Sequence, residues 1–139
     1  MAVKMRIKLV QAGAAKFTAS NHGGASIVID GPAEMGGENA GLRPMETLLA
    51  ALAACSAMDV LLIMKKQRQN LERLEMEVEG ERADAIPAVF TGIHVRFKGY
   101  GPIDLKRFQK AVDLSVEKYC SVTKMLQPAV TITAEAVLG

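Results

Sequence analysis

The 139 residues, half of them hydrophobic, are enough for one domain around one core. A formal charge of +2 and interleaved basic and acidic residues give no nucleic-acid footprint, and without tryptophan a stacking platform for single strands is poorly supplied. Two cysteines exclude a disulfide scaffold, and MAVKMRIKLV has no continuous apolar run of the signal-peptide kind, so the expected compartment is the reducing cytoplasm.

From the N-terminus, Val3, Met5, Ile7 and Leu9 alternate with Lys4, Arg6 and Lys8, which predicts a strand with one wet face. Residues 15–19 and 25–30 read as two more strands, with SNHGG as the turn between them, so the chain opens on a β-meander. GPAEMGGENAGLR, residues 31–43, is a glycine-rich loop without the Lys-Ser or Lys-Thr of a phosphate loop.

Pro44 fits the first turn of a helix that runs to about Gln67. From Leu48 to Met64 this helix is apolar on nearly every face. Such a helix lies in a core or in a membrane, and Asp59, the alanines and the amphipathic strands on both sides favour a core. A chain this short rarely surrounds a helix by itself, so the pattern predicts a homodimer.

Strands resume at 73–81, where Leu74, Met76 and Val78 alternate with Glu75, Glu77 and Glu79. After a turn at Pro87, residues 89–98 alternate Ile93, Val95 and Phe97 with His94, Arg96 and Lys98, so an acidic face meets a basic one across the pair. Asp104 caps a helix through about Tyr119, with Leu105, Phe108, Val112 and Val116 on one face. A short helical turn at 121–126, a stop at Pro128 and a last strand with Val130, Ile132, Ala134 and Ala136 complete the chain. The expected fold is α+β: one domain over 1–139, comprising meander and loop (1–43), central helix (44–67) and a ββαβ portion (71–139), with an antiparallel sheet and two main helices on one face.

The two cysteines sit in contrasting places. Cys55 is near the middle of the apolar helix, with Asp59 one turn further on the same side. Cys120 lies where one helix ends and another turn begins, so backbone N–H groups of that turn can stabilise its thiolate. Free cysteine is also commonly a small buried hydrophobe, and the spacing alone leaves both readings open. His22 and His94 have no spacing that pairs them with either cysteine as metal ligands. Met45, Met58, Met64 and Met125 read as adaptable core or pocket lining. Asp59, in so apolar a helix, calls for a partner, and a basic residue is the expected one.

The stretches RPMETLLAALAACSAMDVLLIMKK and AVDLSVEKYCSVTKMLQPAVTIT resemble the OsmC/Ohr family of osmotically inducible and organic-hydroperoxide-resistance proteins. A proline eleven residues before a helical cysteine, and a second cysteine before a hydrophobic helical turn, carry the resemblance, which runs over nearly the whole chain. It implies an intertwined homodimer with central helices between two twisted sheets. It also implies a peroxidatic Cys55, oxidised by an organic hydroperoxide to a sulfenic acid, and a resolving Cys120 that closes a disulfide. An external dithiol, a small molecule or a lipoylated protein, then reduces that disulfide; no metal, flavin or haem is implied. Well-studied members add an arginine and a glutamate that activate the thiolate, with the glutamate directly after the proline. Here Met45 follows Pro44, and Glu46 comes one place late, which turns a helical side chain by about 100°. Glu46 therefore reads first as a carboxylate serving the helix N-terminus, and Arg43 or Lys16 as the remaining sources of the activating charge. Two other functions suit the same fold: a dimeric pocket for an apolar or thiol-bearing ligand, and a redox sensor switched by the disulfide.

Overall fold

The computed structural model describes residues 2–139; Met1, the first residue of the expected domain, lies outside them. The chain divides into two compact units, one up to Leu48 and one from Leu49 to Gly139. Its class is α+β.

The first unit is a three-stranded antiparallel meander of β1 (Ile7–Gln11), β2 (Lys16–Asn21) and β3 (Ser26–Asp30), with β2 in the centre. The turn after β2 forms because Asn21 accepts the Ala25 N–H through its side chain and Gly24 takes a φ of 89°. Pairing of β1 begins at Ile7 rather than Val3. The expected dry face of that strand is open, since Val3, Met5, Ile7 and Leu9 are all exposed.

The glycine-rich loop is organised by Asp30, which the sequence did not single out. Its buried carboxylate accepts the N–H groups of Gly31, Glu38 and Ala40 at 2.9, 2.8 and 3.2 Å. A Cβ at Gly37 would overlap the Gly31 carbonyl, so glycine is required for this tight return. The Glu38 amide, then the Ala40 and Gly31 amides and the charge of Lys16, outweigh burial and hold the Asp30 carboxyl below its ordinary value. A carboxylate with a lowered folded pKa adds stability above the unfolded pKa, and that stability is lost as pH falls through the folded value. Asp30→Ala should therefore loosen the 31–43 loop at neutral pH and flatten the acid limb of the unfolding curve. Amide exchange at Glu38 and Ala40 checks this, and unchanged protection there would contradict it.

Helix α1 (Pro44–Lys66) starts and stops on side-chain and backbone signals. Glu46 accepts the Arg43 N–H at 2.8 Å, the glutamate half of a capping box. At the other end Arg68 is left-handed at φ 56°, and the Gln69 and Arg68 amides return to the Met64 and Lys65 carbonyls. Lys65 and Lys66 oppose the negative end of the dipole. The helix is long and apolar enough to cross a bilayer by length and composition alone, with mean hydropathy 2.1. It buries one i, i+4 stripe, Leu52, Ser56, Val60 and Met64, while Met58, Leu61 and Leu62 remain exposed.

The second unit carries a sheet in the order β4 (Arg73–Arg82), β5 (Phe90–Tyr100), β6 (Thr131–Leu138). The antiparallel β4–β5 register sets Glu75, Glu77 and Glu79 opposite Lys98, Arg96 and His94, the charge pairing the sequence predicted. One correction concerns β6, which runs parallel to β5, so this sheet is mixed rather than antiparallel. The whole helical segment after Tyr100 serves as the crossover that a parallel neighbour needs.

Ile93, Val95, Phe97 and Gly99 share the same sheet face with Gly80. A Cβ at Gly80 would press on Leu49 of α1, and one at Gly99 on Phe108 of α2 (Leu105–Leu114), which puts both helices on that face. The second unit's core is Leu52, Val60 and Met64 with Ile93, Val95, Phe97, Phe108 and Val112. Asp104 caps α2 by accepting the Arg107 N–H at 3.0 Å. Leu105 is exposed instead of buried, and Ala111 and Ser115 complete the inner face. Of the methionines expected inside, Met64 is buried and Met45 partly so, whereas Met58 and Met125 are exposed.

Candidate functional site

The site lies in the second unit, where α1 passes the end of the α2 segment. The sequence pattern predicts one helix to Tyr119; the structure shows α-helix to Leu114 and then a π-helical turn, Ser115–Tyr119. That turn ends with the Cys120 amide bonded to the Ser115 carbonyl at 2.7 Å. Such insertions are frequent at functional sites, and this one sets Ser115 and Cys120 against α1 together. Cys120 then leaves helical conformation, with φ −71° and ψ 111°, and caps the short helix α3 (Ser121–Leu126).

The Cys120 sulfur is fully buried and takes the place that a serine oxygen commonly fills at a cap. It accepts the Thr123 N–H at 3.4 Å and the Ser56 hydroxyl at 3.4 Å. Ser56 also lies within reach of the Leu52 carbonyl at 2.9 Å. Ser115 donates toward the Ser56 carbonyl at 3.2 Å and the Asp59 carboxylate at 3.1 Å. The Thr123 hydroxyl is buried beside this sulfur. Cys55 is half-buried, and the ligand atoms of Cys55, Asp59 and Cys120 all lie within 4.8 Å of one another.

These contacts divide the two thiols. Burial pushes the Cys55 thiol up, and the adjacent Cys120 adds to this; the backbone amides of Val122 and Ser121 oppose it without prevailing. Burial also acts on Cys120, but the Ser56 hydroxyl, the nearby Thr123 hydroxyl, the Thr123 amide and Cys55 together outweigh it and bring its pKa down. The first negative charge of the pair therefore rests mainly on Cys120, and Cys55 is the more accessible sulfur.

The other sequence candidates stand elsewhere. Glu46 is engaged by the Arg43 amide at the head of α1, as its N-terminal position suggested. Lys16 is ion-paired with Glu38 at 2.7 Å. His94 is exposed and bonds Thr133 at 2.6 Å and Glu135 at 3.2 Å, while His22 is exposed on the meander turn. Among the described residues Asp59 has a hydroxyl partner, Ser115, and not the basic residue its setting suggested.

Ser56, Ser115 and Thr123 were not legible as site residues from the sequence. A signal existed for each: Ser56 interrupts the apolar stripe of α1, Ser115 falls on the inner face of α2 extended, and Thr123 follows Cys120 at cap spacing.

Comparison with known proteins bears on the family and the fold. The family described as OsmC-like protein matches residues 36–135. Protein YhfA of Escherichia coli K12 is 40% identical over 133 residues, covering 94% of each chain. A hypothetical protein from Aquifex aeolicus VF5 superposes at TM-score 0.83 with 32% identity, over 100% of this chain and 99% of that one. The organic hydroperoxide resistance protein OhrB of Bacillus subtilis shares the fold at TM-score 0.67 and 18% identity, covering 97% and 98% of the two chains. The chain belongs to the OsmC-like protein family.

Proposed function

We propose that this protein is a cytoplasmic, homodimeric, thiol-dependent peroxidase acting on organic hydroperoxides. The observation that carries the reading is the approach of two sulfurs of unequal acidity, one reachable and one buried and hydrogen-bonded, within 4.8 Å. The hydroperoxide-resistance role of OhrB, which has the same fold, supports the substrate class.

The Cys55 thiolate attacks the outer peroxide oxygen; the O–O bond breaks and the alkoxide takes a proton and leaves as the alcohol. Cys55 is now a sulfenic acid. The Cys120 thiolate attacks the Cys55 sulfur, the S–O bond breaks, and the hydroxide leaves as water after taking a proton. An external dithiol returns two electrons and two protons to the disulfide and becomes oxidised itself. The hydrogen bonds that lower the Cys120 pKa supply the thiolate this second step requires. The exposed apolar residues of α1 and β1 support pairing of two copies.

Because the Cys55 thiol is raised, its reactive fraction at neutral pH is small. The rate of hydroperoxide consumption with excess dithiol should rise about tenfold per pH unit through neutrality and continue past about pH 8.5, the ordinary thiol value. A flat profile between about pH 6 and 9 would show that Cys55 is already ionised and contradict the assigned order. The raised thiol favours one second reading, a redox sensor in which the disulfide forms slowly and acts as a switch. Hydroperoxide consumption limited to a single equivalent, despite excess dithiol, would select it.

A further inference from the structure

We propose that the reduced protein binds a thiophilic divalent cation, zinc, between the sulfurs of Cys55 and Cys120 and a carboxylate oxygen of Asp59. The inference does not depend on the peroxidase reading, because it needs only reduced thiols.

The three ligand atoms come from two directions. Cys55 and Asp59 are one turn apart and project from the same side of α1. Cys120 enters from the turn before α3. All three ligand atoms lie within 4.8 Å of one another. Zinc bonds sulfur at about 2.3 Å and carboxylate oxygen at about 2.0–2.2 Å. A tetrahedral ion thus needs its ligands about 3.4–3.8 Å apart, and side-chain adjustment of about 1 Å closes the set. Two thiolates and a carboxylate are a donor set suited to zinc.

The surroundings fit the same assignment. Ser115 holds one oxygen of Asp59, and the other takes no hydrogen bond among the described residues. No described ion pair neutralises this carboxylate. Ser56 and the Thr123 amide orient the Cys120 sulfur, as outer partners orient metal ligands. Cys55 and Asp59 are only partly buried, so the fourth position is open to water.

Binding transfers no electrons. Each sulfur ligand that still carries a proton releases it to solvent, so affinity rises with pH. A bound ion would occupy both sulfur lone pairs and shield them from peroxide. The disulfide lacks both thiolates, and oxidation would therefore expel the ion.

The test uses the full-length reduced protein titrated with Co²⁺, followed by Zn²⁺. One thiolate-to-cobalt charge-transfer band per chain should appear in the near ultraviolet, and one equivalent of Zn²⁺ should bleach it. Cys55→Ser and Cys120→Ser should each remove the band or displace it to a single-thiolate form. Asp59→Asn should weaken Zn²⁺ binding at least about tenfold with unchanged circular dichroism. The protein with its disulfide preformed should give no band. Absence of the band in the reduced wild type overturns the site, whatever the variants do. A folded Asp59→Asn protein with wild-type affinity removes Asp59 from it. Zinc binding by a protein whose zinc-free reduced form does not react with peroxide would support this site and refute the peroxidase, whereas a peroxidase indifferent to zinc would do the reverse.

Discussion

Cys55→Ser is expected to abolish hydroperoxide turnover, and Cys120→Ser to consume one equivalent of peroxide and stop. The first variant removes the only accessible sulfur of the pair, so no O–O bond is broken. The second keeps the attacking sulfur but lacks the thiol that displaces hydroxide from the sulfenic acid. That acid then persists or oxidises further to the sulfinic state. Stopped-flow consumption of an organic hydroperoxide and intact-mass analysis distinguish the two variants. Retained turnover in Cys55→Ser would move the attack to Cys120, whose lower pKa favours it but whose full burial does not.

Leu52→Asp and Leu61→Asp should fail in different ways, although both leucines lie on the same apolar helix. Leu52 is fully buried against the second unit's own core. An unpaired carboxylate there costs about 4 kcal/mol or more, a large part of the roughly 5–15 kcal/mol that holds a domain. Leu52→Asp should therefore unfold the chain. Leu61 is 48% exposed in the single chain, on the face we assign to the second copy. Leu61→Asp should retain helical circular dichroism but sediment as a monomer at micromolar concentration, where the proposed dimer of the wild type should sediment as two chains. A wild-type monomer would contradict the dimer, and loss of fold in Leu61→Asp would mean that the helix is stable only when paired.

These two leucines also show what the sequence could and could not convey. The central helix was legible because Pro44 and a long apolar run are local signals. Which leucines face the chain's own core was not, because an all-apolar helix has no periodicity to read. The amphipathic strands β4 and β5 were legible in position and in the pairing of their charged faces for the opposite reason, since their alternation is strict. The direction of β6 was missed because alternation reports the faces of a strand and not its neighbour's polarity.

At the site, the two cysteines could be singled out from the family resemblance. The hydroxyls that set their relative acidity could not be, because Ser56, Ser115 and Thr123 lie far apart in the sequence and only the packing of α1 against the segment after α2 brings them together. Glu46 was read correctly as a helix-terminal carboxylate, since this capping contact spans only the four residues from Arg43 to Glu46.

The central claim is that Cys55 and Cys120 act as one redox pair. Its most direct test is intact-mass and peptide mass spectrometry of the reduced protein after one equivalent of an organic hydroperoxide. The account predicts loss of two hydrogens per chain and an intramolecular link between the peptides carrying Cys55 and Cys120. Oxygen added to either cysteine without that link, or two thiols left unchanged, would contradict it.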